Sequence, residues 1–353
     1  MSSRSASART RRPASWPTRW HRIRRKPMAL RESEHTELPI PNGWFAVEFS
    51  RELREGDVKP IHYCGEDFVL FRTRSGQAKV LDAFCPHMGA HLGYVGRVMA
   101  ETIRCPFHAW QFDGTTGDCT HIPYCERIPA RAKVRAWEVQ EKNGFIWIWY
   151  HSEGKAAQWD FEAQPEFGDA EWSEPRAFEK VLEAHIQDTH ENNNDPVHFL
   201  YVHSATSVPE SEIHYTPDST HYRIISHMEQ EYPFGTFKMS LLRDSWGLGL
   251  TSIRMEGVPG ASLLLYAATT PIDADRVHSR WLLTTTKNMV DLAGEEFMKN
   301  LTRGIDQDLD IWKHKVHRTS PVFCEGDDYL AQFRKWARQF YTHPLGDARQ
   351  QEA

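Results

Sequence analysis

Cys85-Pro86-His87 and, seventeen residues further on, Cys105-Pro106-Phe107-His108 decide the reading of this chain. The pattern is C-x-H-x17-C-x2-H. Each short loop offers one soft thiolate and one imidazole. Two Cys on one iron and two His on the other is the donor set of a mixed-ligand 2Fe–2S cluster. The neutral imidazoles favour reduction of the iron they hold, and so raise the potential. A Cys2His2 zinc site uses the same residue types, but it normally pairs Cys with Cys at C-x2-4-C and His with His at H-x3-5-H. Both loops here are mixed, which disfavours zinc.

The chain has 353 residues, room for about two domains. No apolar run approaches the roughly 18 residues of a transmembrane helix. The longest candidate, Ala261 to Ile272, is broken by Ser, Thr and Pro271. Thirteen Trp and eighteen Phe suit a large apolar cavity as well as an ordinary core. The six Cys show no disulfide-framework spacing, so the expectation is a soluble protein of a reducing cytoplasm. Such a protein can still take its substrate from a membrane surface. Residues 1–27 hold eight Arg and one Lys and no acid; the remainder carries 33 basic and 48 acidic residues, a net charge of −15. With no hydrophobic core region this head is not a secretory signal. We read 1–40 as a basic, disordered segment, with Met28 as an alternative start, and expect no nucleic-acid partner.

Residues 41–150 read as one all-β domain. Short apolar bursts such as Asp67 to Phe71 and Ala78 to Asp82 are separated by Gly65 and Gly76, and Gly144 to Tyr150 closes the domain as a buried strand. Residues 151–178, rich in charge, Gly and Pro, read as a linker. In the segment 179–345, 180–190 reads as a helix. Residues 221–243, 248–256, 261–272 and 278–288 read as successive strands, and 295–317 as a long helix. A curved sheet gripping that helix would enclose a pocket. The fold class is therefore α+β.

A second constellation is Asn192-Asn-Asn-Asp195-Pro-Val-His198-Phe-Leu-Tyr-Val-His203. Two close His with a later carboxylate suit a 2-His-1-carboxylate triad on non-haem Fe(II), which leaves positions open for O2 and substrate. Taken singly, the residues have plainer readings. Asp195 before Pro196 suits a helix N-cap followed by proline at N1, and a lone His is usually a core residue. An electron-delivering cluster in the same chain needs an acceptor, and that favours iron. For the carboxylate, the helix offers Asp306, Asp308 and Asp310. Met298, Leu301, Ile305, Leu309, Trp312 and Val316 form one apolar stripe. At about 100° per residue, Asp308 lies about 60° from the middle of the stripe, Asp306 and Asp310 about 100° and 140°. Asp308 is the choice, because a carboxylate facing a core needs an ion or a partner.

Together these motifs resemble the oxygenase (α) subunits of Rieske non-haem iron oxygenases. Cys105-Pro-Phe-His-Ala-Trp-Gln-Phe-Asp113, Ile122-Pro-Tyr, Asn192 to His203 and Asp306-Gln-Asp-Leu-Asp-Ile-Trp-Lys313 look most like 3-ketosteroid 9α-hydroxylase oxygenase components and Rieske cholesterol 7-desaturases. The resemblance spans about residues 40–345. It implies a Rieske domain followed by a helix-grip (START/Bet v 1-like) catalytic domain, assembled as a homotrimer. The cluster ligands would be Cys85, His87, Cys105 and His108, and the iron ligands His198, His203 and Asp308. Asp195 matches the acid that couples the cluster of one subunit to the iron of the next. Electrons would come from a separate NAD(P)H-dependent flavin and ferredoxin-type reductase, since no dinucleotide fingerprint is present. The extra loop Cys that form a disulfide in respiratory Rieske proteins are missing, with Ala90 and Phe107 in their places.

The implied activity is O2-dependent hydroxylation of a steroid, first of all a 3-ketosteroid at C9, with C7 desaturation of a sterol, or oxidation of another sterol or an aromatic compound, as the alternative. Two other classes compete. A Rieske electron-transfer protein would need only about 110 residues and would leave 151–353 unexplained. A lipid-binding helix-grip module with a degenerate redox domain would not keep all seven ligands and Asp195.

Overall fold

A computed structural model describes residues 38–203, 207–215, 219–232, 235–289, 303–304, 306–318 and 320–342. Its first part holds three small antiparallel sheets. One has the order β1–β10–β9, from Gly43–Phe49, Phe145–Tyr150 and Val139–Lys142. A second runs β2–β3–β4, from Val58–Tyr63, Glu66–Arg72 and Ala78–Asp82. The third runs β5–β6–β7–β8, from Arg97–Met99, Thr102–Arg104, Gln111–Asp113 and Cys119–His121. A single turn of helix, α1 (Leu92–Val95), follows the first ligand loop.

The second part is one seven-stranded antiparallel sheet of order β11–β17–β16–β15–β14–β13–β12. Its strands are β11 (Arg176–Leu182), β12 (Glu210–Tyr215), β13 (His221–Tyr232), β14 (Gly235–Trp246), β15 (Leu250–Val258), β16 (Ala261–Pro271) and β17 (Val277–Thr285). Helices α2 (Ile186–Asn193), α3 (Pro196–Tyr201), α4 (306–312) and α5 (Asp328–Ala337) complete it. The α+β fold class, an all-β domain followed by a sheet-and-helix domain, is the observed one. No helix among the described residues is long and apolar enough to cross a membrane.

β10 explains why the two parts are one body. Its sequence Phe-Ile-Trp-Ile-Trp-Tyr is buried at all six positions. Side chains of a strand alternate between faces. Phe145, Trp147 and Trp149 pack with Trp246, Leu250 and Tyr266 of the large sheet, while Ile146, Ile148 and Tyr150 pack with Phe45, Phe68 and Trp137. A Cβ on Gly249 would come 2.3 Å from the Trp44 carbonyl oxygen, so glycine alone permits this approach of β1 to the β14–β15 turn.

Four local expectations need correction. The segment 180–190, expected as a helix, is strand β11 up to Leu182 and then α2 from Ile186. Val181 and Leu182 pair with His278 and Val277, a partner far along the chain that local periodicity does not show. His185 then accepts from the Gln187 amide at 3.1 Å and starts the helix. Residues 221–243 form a hairpin, β13 and β14, in which Tyr232 pairs with Gly235. The stretch 151–178 is no free linker: Phe161 is buried in the core, Arg254 binds Glu166 at 2.6 Å, and the strand β11 begins at Arg176. Finally, α4 ends at 312, where 295–317 was expected. Beyond it Lys315 reaches Asp188 at 2.6 Å instead of extending the helix. Residues 290–302 and 305, with Met298, Leu301 and Ile305 of the stripe, lie outside the described residues.

His278 ties β17 to β2, with Nδ1 2.9 Å from the Tyr63 hydroxyl. Burial, helped by Arg280, pulls its pKa down from 6.5 to about 4. Glu179 lies 3.1 Å away but is shared with Arg280, so it does not restore the charged form. A folded pKa below the unfolded one gives stability that is present above pH 6.5 and lost as pH falls through 4. Urea unfolding should show a loss of up to about 3 kcal/mol from this group across that window. His278→Gln should flatten the slope there; an unchanged slope would show that the imidazole is not held neutral.

Candidate active site

Loop 83–91 is closed by backbone hydrogen bonds. The Cys85 amide donates to the Ala90 carbonyl at 2.9 Å, the Gly89 amide to the Cys85 carbonyl at 2.9 Å, and the Leu92 amide to the Ala83 carbonyl at 2.7 Å. Gly89 sits at φ +72°, where glycine carries no penalty. The second loop closes through the Cys105 amide and the Trp110 carbonyl at 2.7 Å. Cys85 and Cys105 are buried, while His87 and His108 are half-buried, with ring centroids 4.6 Å apart. Trp110 stacks on His87 at 4.6 Å and 8°, and its Nε1 donates to the Tyr124 hydroxyl at 2.8 Å.

These residues fit a two-iron cluster. Burial, with Cys105 beside it, pushes the Cys85 thiol up to about 11. Two adjacent thiolates therefore need a cation to persist there. His87 Nδ1 is buried without a hydrogen-bond partner, as a free donor atom should be. Among the described residues, the groups of three or more donors within 4.8 Å of one another lie elsewhere, so these four do not close around one ion as a zinc site would. All six cysteines are free.

His198, His203 and Asp308 come together, their donor atoms within 4.8 Å of one another. Asp195 caps α3: its Oδ1 accepts from the Val197 amide at 2.9 Å and the His198 amide at 3.2 Å, with Pro196 at the first helical position. The plainer reading of Asp195 is thus locally correct and also serves the site, because the cap sets the start of the helix that carries His198. His198 Nδ1 contacts the Asp195 carbonyl oxygen, which leaves Nε2 for a metal. His203 Nδ1 lies 3.0 Å from Gln307 Oε1, and its Nε2 lies 3.3 Å from Asp308 Oδ1. Asp308 is buried and Asp306 is not; Asp306 instead binds Lys180 at the surface. Burial raises the Asp308 pKa, against the opposing pull of His203 and His198. A buried carboxylate facing two imidazoles is the donor set of a facial triad.

The triad opens into a cavity of about 310 Å³, at the small end of the range for small-molecule sites. Leu182, Phe199, Ile253, Leu265, Trp281 and Trp312 supply apolar walls. Two supporting residues escaped the sequence reading. Gln307 orients His203, and Asn192 hydrogen-bonds Asp308 while its Oδ1 accepts from Trp312 Nε1 at 3.3 Å. Asn192 stands in the quoted motif near the end of α2, three residues before Asp195, but that position alone does not reveal a contact with Asp308. Outer partners of this kind fix ligand orientation. Asn192→Ala should weaken retention of the mononuclear iron about 10- to 100-fold, read by metal analysis after dialysis against a chelator, with the cluster's visible absorbance unchanged. Equal retention in the variant and the parent would remove Asn192 from this role.

Two segments of the chain match known protein families. The Rieske [2Fe-2S] domain model matches residues 43–137, and the 3-Ketosteroid 9alpha-hydroxylase C-terminal domain model matches residues 148–341, more than half of the chain. A cholesterol 7-desaturase of Caenorhabditis elegans is 30% identical over 332 residues, covering 86% of this chain and 77% of that protein. A Rhodococcus rhodochrous protein named "Probable 3-ketosteroid-9-alpha-monooxygenase, oxygenase component" is 28% identical over 326 residues, covering 85% and 79%. Among solved structures, NdmB of Pseudomonas putida CBB5 superposes with a TM-score of 0.68 at 20% identity, over 83% of this chain and 89% of that one. With its N-terminal Rieske domain and its matching C-terminal domain, the chain belongs to the Rieske oxygenases of the 3-ketosteroid 9α-hydroxylase type.

Proposed function

We propose that this chain is the oxygenase component of a multicomponent monooxygenase that hydroxylates a steroid, with a 3-ketosteroid attacked at C9 as the first reading. The observation that carries it is a 2-His-1-carboxylate triad opening into a largely apolar cavity, in the same chain as a Rieske domain. The second part of the chain, 148–341, matches the 3-ketosteroid 9α-hydroxylase C-terminal domain model, which supports the substrate class. C7 desaturation of a sterol is the second reading, favoured by the cholesterol 7-desaturases at 28–30% identity.

In this reading Cys85 and Cys105 hold one cluster iron, His87 and His108 the other, and His198, His203 and Asp308 the mononuclear iron. The bound metals supply O2-dependent oxidation of an unactivated C–H bond, with electrons drawn from a separate reductase. The residues of the chain do the rest. Apolar walls exclude water and press the substrate's C–H bond toward the open side of the triad. Asn192 and Gln307 keep Asp308 and His203 aimed. Asp195 spends Oδ1 on the cap of α3, and its carboxylate charge lies at the entry to the helix carrying His198, where it can hold the N–H of an imidazole.

A homotrimer is supported by exposed apolar side chains at both sites. Phe84, Met88 and Phe107 surround the cluster loops, and Tyr201, 79% exposed, ends α3. A head-to-tail contact between such unlike surfaces makes a ring when its rotation closes, and three copies is the ring proposed. Loaded protein given reductase, NADH and O2 should convert at least one member of a panel of 3-oxo and 3-hydroxy steroids; absence of both turnover and steroid-stimulated O2 uptake would refute the substrate class. Asp195→Asn keeps a good cap but removes the charge. It should retain both metal centres and melt normally while turnover falls about 10- to 100-fold. Unchanged turnover would reduce Asp195 to a helix cap.

A further inference from the structure

The floor of the cavity has an uneven chemistry that the triad does not explain. In β15, β16 and β17, Thr251 lies opposite Ala267, and Ala267 opposite Trp281; Ile253 lies opposite Leu265, and Thr269 opposite Ser279. All seven line the cavity. The two-residue alternation of strands therefore sorts the floor into rows. Ile253 and Leu265 make one end apolar, while Thr251, Thr269 and Ser279 make the other end polar. Thr269 and Ser279 satisfy each other at 3.0 Å. Thr251 Oγ1 lies 3.0 Å from Ser245 Oγ.

His190, on α2, faces this polar end and is 3% exposed. Its Nε2 makes only a long hydrogen bond, 3.4 Å, with Thr251 Oγ1; the ring also touches the Ile186 backbone carbonyl of its own helix, but Nδ1 makes no well-formed bond there. It is not one of the triad donors, which form their own cluster. Burial pulls its pKa down to about 4, so the ring is neutral near pH 7, with one donor and one acceptor nitrogen. Buried polar side chains are normally hydrogen-bonded. An imidazole on a cavity wall whose Nε2 holds only one long bond, to Thr251, can exchange it for a ligand oxygen. Among the described residues, Asp308 is the one formally charged side chain that lines the cavity, which favours an uncharged group as the one to be read.

We propose that His190, backed by Thr251, is a specificity-determining anchor that hydrogen-bonds a single neutral oxygen, ketone or hydroxyl, on an otherwise apolar ring-fused substrate. The proposal rests on the steroid reading above and deepens it. The apolar end takes the ring skeleton, and the polar end, beside His190 and Thr251, takes its one oxygen. Thr251, whose hydroxyl rotates, can complement either form of that oxygen. A substrate lacking the oxygen leaves the imidazole with only its long bond to Thr251, and that difference is the source of discrimination.

The test is anaerobic equilibrium binding to the metal-loaded protein, using three steroids identical except at C3: ketone, hydroxyl and hydrogen. The parent protein should bind one or both oxygenated steroids about 5- to 100-fold more tightly than the deoxy compound. His190→Leu should abolish that preference while leaving deoxy affinity in place, and His190→Gln should restore part of it. In turnover, the leucine variant should lose more in KM than in kcat. Should His190→Leu fail to fold, Thr251→Val, which deletes only a hydroxyl, carries the test through a reduced preference. The ketone and hydroxyl arms show which form is read. A preference that persists in the leucine and valine variants, or a parent that binds without preference, overturns this inference alone. A parent that binds none of the three steroids overturns the steroid reading with it.

Discussion

A carboxylate buried beside two imidazoles is the constraint around which the second half of this protein is built. Asp308 is 8% exposed, and burial raises its pKa. A buried charge of this kind is costly unless it is paired or bound to a metal. His198 and His203 face it from one side, and Asn192 satisfies it from another. The break between α2 and α3, made by the Asp195 cap and Pro196, turns the two histidines toward it. Three donors gathered on one side leave the opposite side to the cavity, and that one-sidedness is what O2 chemistry requires of a metal site.

The cluster loops obey a different constraint. Their thiols face inward to the apolar core and their imidazoles sit at the rim. A cluster held there would have its imidazole side nearest the surface. The strand β10, buried on both faces, joins this electron-carrying part to the large sheet. One chain thus carries both an electron store and the place where electrons are spent.

What could be read in the sequence was what depends on short spacing. The Cys and His of each loop lie within four residues of one another, and their hydrogen bonds close locally. His198 and His203 lie on and just beyond one short helix. Asp308 could be chosen over Asp306 and Asp310 because helical geometry alone separates their faces, and the described part of α4 buries Asp308 while Asp306 stays exposed. What depended on distant partners was not legible. The last residues of β11, from Lys180, read as a helix until β17 is beside them. The stretch 151–178 looks like a linker until its aromatics and Glu166 meet the sheet. Nothing local marks His190; only the folded sheet brings Thr251 of β15 beside it on the cavity wall.

The most direct measurement is iron and acid-labile sulfide per chain in anaerobically purified protein, with EPR of the dithionite-reduced form. The account predicts about three irons and two sulfides per chain, two irons in the cluster and one at the triad, with a reduced-cluster signal of low average g. About two irons and two sulfides in fully loaded protein would leave an electron carrier without a catalytic centre. Zinc without sulfide would contradict the account at its root.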